Sequence, residues 1–532
     1  SAVPEQQQTQ SGTSIVLYTN GTIYTMQIQQ PVVEAVLVEG ERILAVGRRA
    51  ALEPEADTII SLQGNTMFPA FLDSHGHLMG VANGMLQVDL SEVYCYAEMK
   101  EKILNFIQTN HVSDNKWVFA KGINHANLKE KQLPTKSILD EICPQNPLVV
   151  QHASGHSAIC NTLGLQTLGI TADTKNPVGG KIDFSRGLLE ETAWVTYMKR
   201  LPLPSLQELE HAFQRAQQIY ASYGITTIQE GMFVPEILPI YQMLYQKEKL
   251  NLDVVAYLDL QHADQFSDAF LHCRGVYDRH FKIGGYKVIL DGSPQSKTAW
   301  VTEPYDDGTK GYPALQDKDL SRLVARAVRE KQQLLMHANG DAAIDQYLRV
   351  YEAVKKEWGP AIRPVLIHGQ LLRYDQIEKM TQLGIIPSFF VAHVYHWGDI
   401  HVQQLGKYRA EHISPAHTAL AYGLPFTLHQ DAPVIQPDML ETIWCAATRC
   451  TKEGRQLGGI EKLTVYEAIQ SVTKHAAMQY GELQNKGTIE KGKFANFVIM
   501  NQDPLCCDVA QIRNIHILQT IQNGKCIFNC NG

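Results

Sequence analysis

The sequence has little cysteine, no excess of basic residues and no long uncharged apolar segment. Ten cysteines in 532 residues are too few for a disulfide scaffold, and they lack the spacing of zinc fingers. Lysine and arginine (47) are outnumbered by aspartate and glutamate (55), and the formal charge of −8 argues against nucleic acid or a membrane surface as a partner. No apolar run reaches the roughly 18 residues of a membrane-spanning helix. With 44% hydrophobic residues, the chain is instead typical of a well-cored globular protein.

The chain begins with a polar segment, SAVPEQQQTQSGTS, and has no initiator methionine. We therefore expect a soluble protein that is either cytoplasmic or exported to the periplasm with its signal peptide removed. The composition argues against nucleic acid or a membrane as a partner. A small-molecule substrate is the expected partner, and a homo-oligomer is possible.

Short alternating strands are predicted at both ends of the chain. Near the N-terminus, SIVLYT and TIYTM flank Asn20-Gly21, a dipeptide that favours a hairpin. A similar pattern near the C-terminus contains Asn523-Gly524. Because chain termini commonly lie close together, residues 1–67 and 479–532 are predicted to form one composite β-sandwich domain.

Between these segments, short apolar strands alternate with amphipathic stretches, which indicates βαβ units on a parallel sheet. We count eight candidate strands: MFPAFLDSHGH, GITTIQEG, LDVVAYLDL, GGYKVILDGS, QQLLMHANGD, PVLIHGQ, GIIPSFFVAH and LPFTLHQDAP. Most of them end in histidine, aspartate or another polar residue. The fold class is therefore predicted to be α/β, a (β/α)8 TIM-like barrel over residues 68–478 with its active site at the carboxyl ends of the strands.

The spacing of these polar strand ends supports a barrel, which needs about 31 residues per unit. His337 and His368 are 31 residues apart, and His368 and Asp431 are 63 apart, as one unit and two units require. His77 and Lys287 are 210 residues apart, far more than three units. The excess predicts an insertion after strand one, a subdomain of residues 85–205 over the barrel mouth.

After the barrel, Thr464 and Glu467 form a capping box that predicts one helix over LTVYEAIQSVTKHAAMQYG.

Histidine and aspartate at the strand ends predict a metal site. His75 and His77 follow an apolar strand at positions i and i+2, so both can project from one face and bind one divalent ion. Alone this pair is weak evidence in a chain with 20 histidines. His337, His368 and Asp431 at later strand ends strengthen it, because imidazole and carboxylate are ligands suited to zinc.

Lys287 lies inside the apolar run GGYKVILDG, where a charged amine is costly unless it is paired or neutral. A neutral buried lysine can take up CO₂ and become a carbamate, an anionic ligand that can bridge two metal ions. The alternative is a structural lysine paired with Asp291.

These motifs give the whole chain a family resemblance. It resembles the amidohydrolase superfamily, specifically the amidohydrolase-3 (YtcJ-like) branch that includes N-substituted formamide deformylase. The matching segments, in the expected order, are FLDSHGH, LPTKSILDEICPQNPLVVQHASGHSAICN, YKVILDGSPQSKTAW, LLMHANGDAAID, IHGQ, LHQDAPV and SVTKHAA. The resemblance implies a barrel with a flanking β-sandwich, a centre of one or two divalent ions, most consistent with Zn²⁺, and hydrolysis of a C–N bond other than a peptide bond.

Carried over residue by residue, the resemblance implies a role for each strand-end group. His75, His77 and Asp431 would hold one metal ion, His337 and His368 a second, and Lys287 as its N6-carboxylated form would bridge them. A metal-bound hydroxide would attack the substrate, and Asp431 would act as the catalytic proton carrier.

Two further histidines are predicted to contact substrate: His156 in SGHSAICN and His393 at the end of strand seven. Other functions stay open at this point. The same barrel can hydrolyse an ester or a phosphoester, because an activated hydroxide accepts several electrophiles. The remaining alternative is an inactive binding protein of the same fold, which all six predicted ligands argue against.

Overall fold

The computed structural model describes residues 13–532 of the chain, so residues 1–12 of the polar N-terminal segment considered above lie outside the described residues. The described residues form two compact units, one of residues 13–79 and Gln214–Gly532 and one of residues Gly80–Phe213. Among the described helices, none is long and apolar enough to cross a membrane.

The N-terminal segment forms strands of a β module and then enters the barrel. Its elements are β1 (Ile15–Tyr24), β2 (Val32–Glu39), β3 (Arg42–Gly47), α1 (Arg49–Leu52), β4 (Thr58–Ser61), β5 (Thr66–Pro69) and β6 (Phe71–Leu72). The last of these, β6, is the first barrel strand and is followed directly by the motif that contains His75 and His77.

The chain then passes into the second unit before it returns to the barrel. The elements of this part are α2 (Leu78–Gly84), β7 (Val88–Asp89), α3 (Tyr96–Thr109), β8 (Val118–Ile123), α4 (Lys136–Ile142), β9 (Leu148–His152), β10 (Ser157–Cys160), α5 (Thr162–Thr167), β11 (Gly180–Asp183), β12 (Leu188–Glu191) and α6 (Thr192–Met198). Its six strands form one sheet in the order β11-β12-β10-β9-β8-β7. This unit lies in the sequence between the first and second barrel strands, and the predicted insertion of residues 85–205 over the barrel mouth stays a prediction.

The barrel continues with seven more strands. Its elements are α7 (Leu206–Ser222), β13 (Ile225–Phe233), α8 (Leu238–Gln246), β14 (Asp253–Asp259), β15 (Phe281–Ile289), α9 (Asp317–Arg329), β16 (Gln333–Ala338), α10 (Asp341–Trp358), β17 (Val365–His368), α11 (Tyr374–Leu383), β18 (Ile386–Phe389), α12 (His393–Leu405), α13 (Lys407–Glu411), α14 (Ala416–Ala421) and β19 (Thr427–Leu428). Their parallel sheet has the order β19-β18-β17-β16-β15-β14-β13-β6. All eight predicted strands are present.

Contacts between the first and last strands curl this sheet into a barrel. The hydroxyl of Ser74, after β6, lies 3.3 Å from the backbone carbonyl of Leu428 in β19. The backbone N–H of His77 donates to the carbonyl of Ala432 at 2.8 Å. The carboxyl ends of strands one and eight therefore meet, and the predicted fold class is confirmed.

The C-terminal segment completes the β module. It comprises α15 (Met439–Thr448), α16 (Val465–Ser471), α17 (Lys474–Gln479), β20 (Phe497–Met500), β21 (Ile517–Gln522) and β22 (Lys525–Asn529). Antiparallel pairing of β20 with β5, for example Val498 opposite Phe68, joins the two chain ends in one sheet. Ile23, Met67 and Phe497 are buried together in its core.

The two Asn-Gly pairs have different structures. Asn523-Gly524 is the two-residue turn between β21 and β22, with both residues at positive φ. The hairpin predicted at Asn20-Gly21 is wrong, because β1 continues through it with a register irregularity between Thr19 and Ile23. A Cβ at Gly21 would lie 2.4 Å from the carbonyl oxygen of Asn65, so the glycine permits a close backbone approach rather than a turn.

The helix predicted after the barrel begins as expected but is not continuous. Thr464 and Glu467 form the predicted capping box at the start of α16. The chain then breaks at Thr473, whose φ and ψ are −126° and −91°. At this break the carbonyl of Val472 accepts the backbone N–H of Leu72 at 2.9 Å, a bond to the first barrel strand. The single helix was therefore a wrong prediction, because this tertiary hydrogen bond competes with the helical one.

A buried ion network ties the segment after α17 to the amino ends of two barrel strands. Lys486 contacts Asp253 of β14 at 2.7 Å and Glu482 at 2.9 Å, and Lys282 of β15 contacts Glu482 at 2.9 Å. Burial alone would raise the pKa of Asp253 and of Glu482, but the lysines hold the pKa of each carboxylate below its ordinary value.

We predict that Lys486→Met lowers the free energy of unfolding by about 3–5 kcal/mol, because it removes the buried cation that Asp253 and Glu482 share. A depressed carboxyl pKa stabilises the fold above the ordinary pKa of about 4, and this stability is lost as the pH falls. Urea unfolding of the wild type should therefore weaken more between pH 6 and pH 3 than that of the variant. The control is Lys407→Met, whose exposed pair with Glu411 should contribute almost nothing. Equal stability of the two variants at pH 7 would contradict the prediction.

Candidate metal centre

The predicted ligands all lie at or near the carboxyl ends of barrel strands. His75 and His77 follow β6, and Lys287 is near the end of β15. His337 is in β16, His368 is the last residue of β17 and Asp431 follows β19. Parallel strands present their carboxyl ends at one rim of a barrel, which explains why residues so distant in sequence come together.

Asp431 lies between the first two histidines. Its Oδ1 is 3.2 Å from Nε2 of His75 and 3.0 Å from Nε2 of His77, and the three ligand atoms lie within 4.8 Å of one another. Nevertheless Oδ1 has no hydrogen-bond partner. A buried carboxylate oxygen that faces two imidazole nitrogens without a hydrogen bond is what a shared cation would satisfy. The donor set therefore fits a divalent metal ion.

The second nitrogen of His75 identifies its tautomer. Nδ1 lies 2.6 Å from Oε1 of Gln229, and the amide nitrogen of Gln229 donates to the carbonyl of Ser74 at 2.9 Å. The glutamine oxygen can therefore only accept, so Nδ1 of His75 carries the proton. Nε2 is left as a lone pair directed towards Asp431 and is available to a metal ion.

His337 and His368 lie on the other side of this group. Their rings are 4.7 Å apart, and Nε2 of His368 is 3.7 Å from Oδ2 of Asp431. Nε2 of His337 lies 3.0 Å from the carbonyl of Gly292, which can only accept, so its Nδ1 is the free nitrogen.

Burial keeps His75, His337 and His368 neutral. It lowers the pKa of His75 and of His368 well below the ordinary value, and it lowers the pKa of His337 to about 4 with help from Lys287. Neutral imidazole is the form that binds metal ions, so no proton has to be removed at pH 7.

Lys287 is fully buried, and its amine donates to the backbone carbonyl of Gly231 at 3.2 Å. The alternative pairing with Asp291 is wrong. The carboxylate of Asp291 instead accepts the backbone N–H groups of Trp300, Asn339 and Gly340. Burial lowers the pKa of the Lys287 amine to about 8, which makes a neutral amine accessible near physiological pH.

Two of these residues have left-handed backbone conformations. His368 has a φ of +80° and Asp431 a φ of +50°, in the region that non-glycine residues seldom occupy. Such a conformation costs about 1–3 kcal/mol and persists where the surrounding structure imposes it, often at functional sites. Here it turns both side chains towards the His75 and His77 pair.

The two histidines predicted to contact substrate differ in placement. His393 is buried at the start of α12, with its Nδ1 3.0 Å from Nε2 of His401 and its ring 4.7 Å from Phe390. Phe390 in turn lies 6.2 Å from the His368 ring, so His393 belongs to the same end of the barrel. His156 is exposed in the second unit, 3.0 Å from Glu191. The substrate role of each stays a prediction.

Sequence reasoning missed three residues that contact the ligands. Gln229 orients His75, and His429 contacts His368 with 3.0 Å between ring nitrogens. A Cβ at Gly231 would lie 2.7 Å from Cε1 of His75. A signal for the first two was present, since both are polar residues at the ends of predicted strands, and His429 precedes Asp431 by two positions as His75 precedes His77.

A second potential ligand group provides a contrast. His272, Cys273 and Asp278 also have ligand atoms within 4.8 Å of one another. The hydroxyl of Tyr245, however, hydrogen-bonds to both His272 and Asp278, so these groups already satisfy each other. The unpartnered Oδ1 of Asp431 distinguishes the barrel group from this one.

Comparisons with known proteins agree with this geometry. The profile of the amidohydrolase family (Amidohydro_3) matches residues 58–528. YtcJ of Bacillus subtilis (strain 168) is 28% identical over 96% of this chain and 99% of its own length. N-substituted formamide deformylase of Arthrobacter pascens is 26% identical over 95% of this chain and 96% of its own. A crystal structure of an uncharacterized metal-dependent hydrolase from Pyrococcus furiosus has a TM-score of 0.74 and 25% identity, covering 92% of this chain and 100% of that one.

We predict that Gly231→Ala weakens metal binding at least 10-fold, because the added methyl group would lie against the His75 ring and displace it. Chelator competition with Zn²⁺ measures the affinity. Gly84→Ala is the matched control, since a Cβ there meets nothing within 4 Å. Wild-type affinity in Gly231→Ala would show that His75 does not need its present position.

Proposed function

The chain belongs to the amidohydrolase family and is a hydrolase, and from this premise we propose that it cleaves a C–N bond other than a peptide bond in a small molecule. The proposed substrate is a non-peptide amide, an N-acyl compound or a formamide. The observation that carries the proposal is the unpartnered Oδ1 of Asp431, which faces Nε2 of His75 and Nε2 of His77. The relative named N-substituted formamide deformylase supports the choice of bond.

The proposed metal ions are Zn²⁺, because the donors are neutral imidazoles and one carboxylate. His75, His77 and Asp431 would hold one ion, and His337 and His368 a second. A divalent cation supplies what hydrolysis requires here, namely polarisation of the carbonyl group and activation of water at neutral pH.

Lys287 would become the bridging ligand by carboxylation. Its neutral amine attacks CO₂ and forms a new N–C bond, and one proton is released as the carbamate appears. Burial favours this step by lowering the pKa of the amine to about 8. The carbamate would then supply the negative charge that the buried amine lacks.

The two oxygens of Asp431 suit two different tasks. Oδ1, between His75 and His77, would be the metal ligand, and Oδ2, 3.7 Å from Nε2 of His368, would hold a proton. We propose that Oδ2 accepts the proton of the attacking water and passes it to the leaving nitrogen. His393, at the same end of the barrel, would contact the substrate.

We predict that Asp431→Asn and Lys287→Ala differ in their effects on metal content and on rate. Asp431→Asn keeps an oxygen ligand, so much of the metal should stay bound, whereas loss of the proton carrier should lower kcat by about 10²-fold or more. Lys287→Ala removes the bridge and should lower metal content as well as rate, with short carboxylic acids restoring part of the activity. Metal analysis and steady-state kinetics on both variants measure this difference.

Two exposed substitutions are the matched controls. Asp264→Asn and Lys407→Ala change the same residue types at exposed side chains, and both proteins should keep wild-type metal content and rate. An Asp431→Asn protein with full activity would falsify the assignment of Oδ2 as proton carrier. A Lys287→Ala protein with full metal content would refute the carbamate bridge.

A substrate panel tests the choice of bond. The Zn²⁺-loaded protein should hydrolyse small N-substituted formamides or N-acyl amines faster than esters and phosphoesters of the same size. Faster turnover of an ester or phosphoester would contradict the proposed C–N specificity and favour hydrolysis of that ester class instead. No turnover of any class by protein with two bound Zn²⁺ would favour a binding function on this fold.

A further inference from the structure

His429 is a buried histidine that the proposed mechanism does not use, although it contacts a proposed ligand. Its Nε2 lies 3.0 Å from Nδ1 of His368, and its Nδ1 lies 2.7 Å from Oγ of Ser388. We propose that His429 is a positioning residue that holds the Nδ1 proton of His368 and so leaves Nε2 of His368 free to bind metal. The consequence for metal binding rests on the proposed function, whereas the hydrogen-bond pattern does not.

The contacts continue beyond His429 to a final acceptor. Oγ of Ser388 lies 2.7 Å from Oγ1 of Thr427, which lies 2.7 Å from Oε1 of Gln479. The amide nitrogen of Gln479 donates to the backbone carbonyl of Ser74 at 2.9 Å, so its oxygen faces Thr427 and can only accept. The chain of contacts therefore starts at a metal ligand and ends at an acceptor in α17.

The number of available hydrogens fixes the donor-to-acceptor direction of this series of hydrogen bonds. Neutral His429, Ser388 and Thr427 each have one hydrogen to donate. The Thr427 hydroxyl is in position to donate to Ser388 or to Gln479, but its single hydrogen can serve only one of them. If Thr427 donates to Gln479, then Ser388 must donate to Thr427 and His429 must donate from Nδ1 to Ser388. Nε2 of His429 is then an acceptor, and the hydrogen in its contact with His368 must be on Nδ1 of His368.

The opposite direction leaves a contact without a hydrogen. If Ser388 donated to His429, either the Ser388–Thr427 pair or the Thr427–Gln479 pair would have two lone pairs facing each other at 2.7 Å. The hydroxyl of Ser74 also lies 3.3 Å from Oγ of Ser388, but it does not change this count, because its hydrogen can fill neither the Ser388–Thr427 nor the Thr427–Gln479 contact. A buried pair of unbonded oxygens is unfavourable, so the first direction is preferred.

The same count assigns His429 a role other than ligand. Both of its ring nitrogens are engaged, Nδ1 as donor and Nε2 as acceptor, so no lone pair remains for a metal ion. Outer partners of this kind fix the orientation and tautomer of a metal-binding histidine. His429 would do for His368 what Gln229 does for His75 and the carbonyl of Gly292 does for His337.

The test removes a hydroxyl that does not touch any ligand. Thr427→Val leaves the hydrogen of Ser388 free to turn towards His429, which lets the proton of His368 move to Nε2. Ser388→Ala interrupts the chain at another link and should have the same effect. Thr427→Ser keeps the hydroxyl and is the matched control.

The first readout is the ¹⁵N NMR spectrum of histidine-labelled, metal-free protein, with signals assigned from His368→Asn and His429→Asn. Wild type and Thr427→Ser should carry the proton of His368 on Nδ1, and Thr427→Val and Ser388→Ala should show it on Nε2. The second readout is Zn²⁺ affinity by chelator competition, which should fall about 10-fold in these two variants only. An unchanged His368 tautomer in both Thr427→Val and Ser388→Ala would overturn the inference. An equal loss of Zn²⁺ affinity in Thr427→Val and Thr427→Ser would also overturn it.

The NMR readout separates this inference from the proposed function, because it needs neither metal nor substrate. A tautomer shift in a protein whose wild type hydrolyses no amide would support the hydrogen-bond chain and count against the proposed function. Amide hydrolysis without a tautomer shift would refute the chain alone.

Discussion

The carboxylate of Asp431 is a buried negative charge that the surrounding protein does not neutralise by hydrogen bonding. Burial disfavours such a charge unless a cation or a hydrogen-bond donor compensates it. Neutral His75, whose Nε2 lies 3.2 Å from Oδ1, cannot donate a proton to it without losing its bond to Gln229. The arrangement therefore has a carboxylate and imidazole lone pairs directed at the same place, and a divalent cation is the partner that satisfies them all.

Much of the polar structure behind the site serves to preserve those lone pairs. Gln229 and the carbonyl of Gly292 each accept the proton of one histidine, and the chain through His429 would do so for His368. These acceptors come from strands two and eight and from the loop after strand four. Each of these three histidines is thus oriented by a different part of the barrel, which explains why the candidate site depends on the whole fold rather than on one motif.

Several parts of the fold were predictable because their signals are local. The eight barrel strands are short apolar runs that end in polar residues, and this pattern follows from burial of the strand and exposure of its carboxyl end. Asn523-Gly524 and the capping box at Thr464 also behaved as expected. Asn20-Gly21 did not form the expected hairpin turn, because its glycine instead makes room for the backbone carbonyl of Asn65. The helix predicted after Thr464 was interrupted by a hydrogen bond from Leu72, nearly 400 residues earlier in the sequence.

The sequence by itself determined which side chains reach the rim of the barrel, since strand periodicity and the spacing of the βα units place His75, His77, His337, His368 and Asp431 at strand ends. Only the tertiary structure decided how these groups are oriented and what Lys287 contacts. The reason is physical: a ligand's tautomer depends on the donor or acceptor at its second nitrogen, and that partner comes from another strand. Asp291 illustrates the same point, because it is near Lys287 in sequence but its carboxylate is used by three backbone N–H groups that no local pattern could indicate.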